Sequence, residues 1–396
     1  MPASNSNGIP AHILPIIVFA QFAGTSLWFA GNAIIPDLAH TLNLTDSAIG
    51  NITSAVQFGF ISGTLLFAYL SIADRMSPSL VFLICALAGS FSNVIAIVSP
   101  DYFFLLVSRF FTGFFLAGIY PVGMKIASDW HRHGLGKALG YLVGALVLGT
   151  ALPHLIRDFS GELPWKFILI STSLFASAGG VILYIFVPDG PFGSGRGVFK
   201  PDALRQLFRN HNFRASAFGY FGHMWELYTF WAFIPVMLTA HQAIHGDSVF
   251  SVSLASFFII GAGAAGCAIG GHLALKNSSK NVARISLIIS GICCLLIPLF
   301  FTLNELLFTI LLLIWGFFVV SDSPQFSTLV ARSSDSHYVA TGLTIVNCIG
   351  FSITIISLQV MSILWVSFQS PFVFTVLAVG PLLGYYAISG YQNDKS

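Results

Sequence analysis

Residues 13–36, 47–73, 76–100, 167–188, 248–271 and 285–304 contain no Asp, Glu, Lys or Arg; nor does 338–393, which Ser370-Pro371 divides in two. Each stretch, coiled as a helix, is long enough to cross the roughly 30 Å of hydrocarbon in a bilayer. Lipid offers no water to a backbone N–H or C=O, so a spanning segment is either a helix or a strand of a closed barrel. Barrel strands alternate in polarity over about ten residues, and this chain has no such segments. An all-α membrane protein follows. Composition agrees, with 56% of residues hydrophobic, 8% charged and 39 Phe, against about a quarter charged in soluble domains.

Spans are expected near 12–36, 47–72, 78–99, 102–127, 136–157, 165–187, 214–239, 248–275, 283–303, 306–331, 338–364 and 370–391, which makes twelve transmembrane helices. With the amino terminus inside, the inner loops carry Arg75, Lys125, Arg132, Lys137, Arg196, Lys200, Arg205, Arg209, Arg214, Lys276, Lys280, Arg284, Arg332 and Lys395. The outer loops carry only Arg157 and Lys166. Basic residues collect on the cytoplasmic side, so both termini are expected there. Met1 to Pro10 is polar and uncharged, without the basic region or cleavage site of a signal peptide, so the first hydrophobic segment is expected to stay as a helix. The longest connector, 189–213, opens Pro-Asp-Gly-Pro and becomes basic and amphipathic from Lys200 to Arg209, as expected of a cytoplasmic linker lying along anionic headgroups. It separates an amino-terminal bundle of six helices, 1–188, from a carboxy-terminal bundle of six, 214–396.

The halves repeat. Gly113-Phe114-Phe115 and Pro121 recur 203 residues later as Gly316-Phe317-Phe318 and Pro324. The end of the second span, Leu70 to Arg75, is echoed by Gly271 to Lys276 ending the eighth, and Pro36 by Pro235. Short echoes in one register mark an internal duplication. Against it stand three differences: Asp74 facing Leu275, Arg109 facing Leu312, and Asp322 facing Ile119.

Ala73-Asp74-Arg75 between spans two and three resembles the Gly-x-Leu-Ala-Asp-Arg-x-Gly-Arg hallmark of the major facilitator superfamily, with Leu70 and Ser77 at its glycine positions. Arg109, Gly113, Ala117 and Gly118 resemble that superfamily's signature in the fourth span. Gly136, Gly140, Gly144, Gly149 and Pro153 look like a worn form of the antiporter motif, with Pro153-His154 in place of Gly-Pro. There is a loose likeness to nitrate and cyanate permease-like members, but spans two and eight contain no Arg for nitrate. The resemblance implies two pseudo-symmetric six-helix bundles of the major facilitator fold, alternating access, a bacterial inner membrane location, and a gating role for Asp74 and Arg75, with Asp74 latching one half against the other.

An ionisable residue inside a membrane span is costly and marks function by default. Three stand out: Arg109, Glu226 and Asp322. Arg109 is expected to bind an anionic substrate group or to exchange carboxylate partners, the competing reading being a fixed structural contact. Tyr220, His223 and Glu226 are three apart and share a helix face, and a Glu beside a His suits a proton relay. Asp322 lies next to Pro324, where a kinked helix carrying a carboxylate can build a central site or serve only as a hinge. Proton coupling is therefore assigned to Glu226, Asp322 and His223. Substrate contact is assigned to Arg109 with Trp28, Asn32, Gln57, Tyr120, Tyr220, Trp225, Tyr228, Gln325 and Asn347, aromatics and amides that either face a cavity or pack between helices.

The five cysteines fall inside spans without CxxC or Cys/His spacing, and read as packing residues rather than a disulfide frame or metal site. No metal and no cofactor is expected. No Gly-rich loop ending Gly-Lys-Ser/Thr is present to bind ATP, and no cluster of catalytic residues points to an enzyme. The function expected is a secondary active transporter, working as a monomer, that moves a small organic solute, anionic or zwitterionic, with protons. Efflux by proton antiport and passive uniport are the alternatives; nucleic acid is not a partner.

Overall fold

The structure, a computed structural model, describes residues 10–42, 44, 47–131, 135–161, 163–192, 203–246, 249–335 and 338–392. Every regular element among them is a helix, and eleven helices are long and apolar enough to cross a membrane. The chain divides into two compact units, Met1–Leu42 with Ala55–Val198, and Asn43–Ser54 with Phe199–Ser396.

In the first unit the expected first span is in pieces: α1 (Ile13–Thr25), α2 (Ala30–Ala33) and α3 (Ile35–Leu42). The cause is local. Thr25 and Ser26 turn their hydroxyls back onto the carbonyls of Gln21 (2.8 Å) and Ala23 (2.7 Å), competing with the helix ladder. Two arginines hold the pieces: Arg109, described below, and Arg157, which donates to the Ala33 carbonyl at 2.5 Å and pairs with Asp37. The unit continues with α4 (Ala48–Leu70), of which Ala55–Leu70 belongs to this unit and the first turns to the second, then α5 (Ile72–Arg75), α6 (Pro78–Ile95), α7 (Tyr102–Leu116), α8 (Tyr120–Trp130), α9 (Leu135–Ser160) and α10 (Lys166–Phe186). Helix starts follow capping chemistry: Ser77 precedes Pro78 and accepts from the Leu80 N–H, and Asp101 accepts from the Phe104 N–H at 2.8 Å.

The second unit comprises α11 (Ala203–Leu207), α12 (His211–His245), α13 (Val252–Asn277), α14 (Ser279–Phe300), α15 (Glu305–Ser321), α16 (Ser323–Arg332), α17 (Val339–Phe368), a 3-10 turn Pro371–Ala378 and α18 (Val379–Ser389). Within this unit Gln359 Nε2 donates to Asn51 Oδ1 (3.2 Å) and Ser54 Oγ (3.0 Å). The basic helix expected over Lys200–Arg209 appears as the five-residue α11, and Arg196 and Lys200 lie outside the described residues. Whereas α1 breaks, α12 runs unbroken through Pro235 for 35 residues.

The repeat has a steric meaning. Gly113 abuts the Val56 backbone and Gly63 the Phe114 carbonyl; Gly316 abuts the Ile259 backbone and Gly266 the Phe317 carbonyl. All four positions recur at the 203-residue offset. Any Cβ would strike a neighbouring main chain, so glycine lets two helices cross at backbone contact in both units. Beyond each crossing the helix stops, at Ile119 before α8 and at Asp322 before α16, the same register again. The second echo does not survive. α4 ends at Leu70, with left-handed Ser71 leading into the separate α5, whereas α13 runs straight on to Asn277 before left-handed Ser278. Asp74 and Leu275 are therefore not equivalent positions.

Candidate functional site

The polar face expected on α12 exists and divides between two neighbours. His223 turns toward the break between α15 and α16, where its Nδ1 lies 2.8 Å from Asp322 Oδ1, both side chains being almost fully buried. Three residues on, Glu226 is 1% exposed and turns toward α14 and α15. Its Oε1 accepts from Trp315 Nε1 (2.6 Å) and Cys294 Sγ (3.3 Å), and its Oε2 from Ser290 Oγ (3.0 Å). Phe230 stacks on the Trp315 ring at 4.3 Å and fixes the indole.

Asp322 sits where it does because of Pro324. Lacking an N–H, proline cannot bond the carbonyl four residues back, that of Val320. Cys267 supplies a substitute donor, its Sγ reaching that carbonyl at 3.4 Å. Cys267 and Cys294 are thus more than apolar filler, since one thiol donates at the helix break and the other to Glu226. Phe326 of α16 packs against the His223 ring (6.2 Å) and Tyr220 (6.5 Å), with Gly219 making room for it. Gln325 is buried beside it.

Arg109 takes a different part from the one expected of it. Its Nη1 donates to Asn93 Oδ1 (2.5 Å) and its Nη2 to the carbonyls of Leu27 (2.8 Å) and Trp28 (3.4 Å), in the gap between α1 and α2. Asn93 in turn donates to Leu169 O (3.1 Å), Thr172 Oγ1 (3.2 Å) and Ser173 Oγ (2.9 Å) of α10. The guanidinium has no carboxylate partner among the described residues and ties four elements together. Three of its contacts go to the protein, while Nε is unpartnered among the described residues. Asn93 carried no prior expectation; an amide among apolar neighbours was the only signal.

The remaining candidates separate by unit. Trp28, Asn32 and Gln57 of the first unit are buried, and Tyr120 is half-buried at the first turn of α8. Gln57 and Gln21, the latter missed in the sequence, are fully buried with neither amide atom bonded among the described residues. His154 is buried, its Nε2 unpartnered among the described residues. In the second unit Tyr228 packs on Trp231 and Phe351, both at 5.2 Å. Trp225 donates from Nε1 to Val376 O at 3.1 Å, and Asn347 is half-buried on α17.

Asp74 pairs inside its own unit, with Lys125 Nζ at 3.0 Å, and Lys125 also reaches Asp129 at 3.5 Å. Ser77 Oγ donates to Asp189 at 2.7 Å, and Trp130 Nε1 to Pro188 O at 3.0 Å, so the hallmark turn is fastened to the start of the connector. Arg75 is exposed. The resemblance implies a latch from Asp74 to the other half in the outward-open state; within its own unit Asp74 pairs with Lys125 of α8.

Comparisons agree with this architecture. The Escherichia coli inner membrane transport protein YdhP is 25% identical over 326 residues, covering 81% of this chain and 80% of that one. The solved nucleoside transporter NupG superposes with a TM-score of 0.73 at 15% identity, over 96% of this chain and 99% of its own. A bacterial homolog of the human lysosomal transporter Spinster, inward-facing and unoccupied, gives 0.69 at 14%, over 96% and 94%. At such identities the two structures speak for the fold alone. Residues 17–358 match the family description of the Major Facilitator Superfamily. Paired glycine crossings, repeated helix breaks and this match together place the chain in the Major Facilitator Superfamily, as a multi-pass membrane transporter and not an enzyme.

Proposed function

We propose that this protein is a proton-coupled secondary transporter of a small organic solute, with His223–Asp322 and Glu226 as its proton-carrying groups. The observation that carries this reading is the 2.8 Å contact of His223 with an aspartate standing at a helix break. At this separation in a buried site a proton can pass between the two groups. Asp322 ends α15 and begins α16, so the charge at that point acts on a joint rather than on a rigid helix. Glu226 can be satisfied in either protonation state: the ionised carboxylate accepts from Trp315, Ser290 and Cys294, and a protonated one can donate to the Ser290 hydroxyl once that rotates toward Leu287 O, 3.5 Å away.

Arg109 turns three contacts to the protein, so it has less to offer an anionic or zwitterionic solute. The unpartnered amides of Gln21 and Gln57 favour a solute recognised by neutral hydrogen bonds, since a buried amide without a partner is costly and a ligand would relieve it. The proposed setting is a bacterial inner membrane with both termini cytoplasmic, and a monomer as the working unit.

Purified protein in proteoliposomes containing a pH-sensitive dye tests the coupling, with nucleosides, amino acids, carboxylates and sugars added in turn. A transported solute is expected to move protons, and the sign of that movement separates uptake from efflux. Glu226→Gln and Asp322→Asn are expected to lose proton movement while keeping solute exchange. Solute flux by the wild type without any proton flux would make the protein a uniporter and end this reading.

A further inference from the structure

The second unit carries a groove of about 580 Å³ that the transport reading does not use. It runs between α12 and α18, walled by Phe218, Phe221, Trp225, Val379, Leu383 and Tyr386. Its floor is the crossing where Gly222 abuts Gly380 and Gly384. The walls are open to the surroundings, with Phe218 50%, Leu383 63% and Tyr386 83% exposed. Polarity appears at one end alone, where His211 and Arg214 complete the lining.

That end is cationic, with Asp335 held by Gln206 at 3.1 Å as the carboxylate nearby. Arg214 donates from Nη1 to the carbonyls of Phe208 (2.9 Å) and Arg209 (3.1 Å), leaving Nη2 and Nε with no protein partner among the described residues. Arg205 and Arg209 of the adjoining connector are exposed, and none of the three arginines is in an ion pair among the described residues. His211 Nε2 is engaged with Gly390 O at 2.9 Å, so Arg214 is the group left to meet a ligand.

Length selects the ligand. From Arg214 to Trp225 the groove follows α12 for about 16 Å at helical rise, close to half of a hydrocarbon core about 30 Å thick. A trough one leaflet deep, apolar along its length and cationic at its mouth, matches a single phospholipid. We propose that it binds one phospholipid with an anionic headgroup, from the leaflet on the connector's side, with the phosphate on Arg214 and an acyl chain laid against the α12–α18 seam. Free phosphate would gain nothing from the aromatic walls, and an apolar protein segment would gain nothing from the arginine.

The test is native mass spectrometry of the full chain released from detergent with added phosphatidylglycerol or phosphatidylcholine of identical acyl chains. The expected result is a one-lipid adduct that favours phosphatidylglycerol and persists in excess inorganic phosphate. Arg214→Gln should lower phosphatidylglycerol occupancy about fivefold, the effect of one basic residue near an anionic headgroup, and Arg214→Lys should keep the preference. Leu383→Trp fills the exposed trough without touching the glycine crossing, so it should weaken both lipids, while Lys276→Gln, on exposed α13, should change neither. Equal binding of the two lipids by the wild type, an unaffected Leu383→Trp, or displacement by inorganic phosphate would each overturn the proposal.

Discussion

Replacing Arg109 with methionine distinguishes a strut from a ligand. The substitution keeps an unbranched side chain, shorter than arginine's, and deletes its donors, stranding Asn93 Oδ1 and the Leu27 carbonyl, whose bonds are 2.5 and 2.8 Å, and a weaker contact to Trp28 at 3.4 Å. A buried acceptor left unpaired costs about 1–3 kcal/mol, so two cost about 2–6 kcal/mol. Part is returned because the charge no longer has to be desolvated, and the net expectation is a loss of about 2–4 kcal/mol. The assay is thermal unfolding of the purified variant in detergent, with Asn93→Leu and the double variant completing a cycle. The two residues share a bond, so their effects should fall short of additive by about 1–2 kcal/mol. An Arg109→Met protein as stable as the wild type but weakened at least tenfold in solute affinity, about 1.4 kcal/mol, would show that the guanidinium serves the solute and that its role as a brace is wrong.

The paired glycine crossings predict that Gly113→Ala and Gly316→Ala each destabilise by about 1–3 kcal/mol, since a Cβ there meets main chain. Gly271→Ala, with nothing near its Cβ, should be neutral or gain up to about 1 kcal/mol in unfolding measurements, and equal losses at all three would refute the steric account. Trp315→Phe removes the shortest bond to Glu226 while keeping an aromatic ring against Phe230, so it should alter the pH dependence of transport without loss of folded yield; an unchanged profile would take Glu226 out of the coupling. The five native cysteines are buried, so a cysteine placed at exposed Lys276 should react with an impermeant maleimide only from the cytoplasm, and one at Leu163 only from outside. The reverse pattern would invert the topology drawn from the basic residues.

Hydrophobic length already carried the fold class and most of the spans, and Pro324 the break in the tenth, because backbone satisfaction in lipid and the missing proline N–H act locally; the matching break in the fourth was not foreseen. The split of the first span was hidden. It depends on Arg157 and Arg109, which lie more than eighty residues away in sequence and converge only in the folded unit. Likewise Glu226 was visible as a costly carboxylate, yet Ser290, Cys294 and Trp315, which satisfy it, sit on two other helices at no telling spacing. Asp74 was read from a motif, while its partner Lys125 looked like an ordinary loop cation.

The unbroken α12 has a consequence for how the molecule meets its bilayer. Its 35 residues measure about 52 Å along the axis, longer than a bilayer of about 40–45 Å with its headgroups. A tilt of about 20° shortens the projection by only a few ångströms. At least one end therefore stands in water. If Arg214 lies at headgroup depth, the overhang falls on the opposite end, where His241 and His245 grip the carbonyls of Leu303 and Phe301, each at 2.9 Å. Those two contacts join the long post to its neighbouring turn at that end.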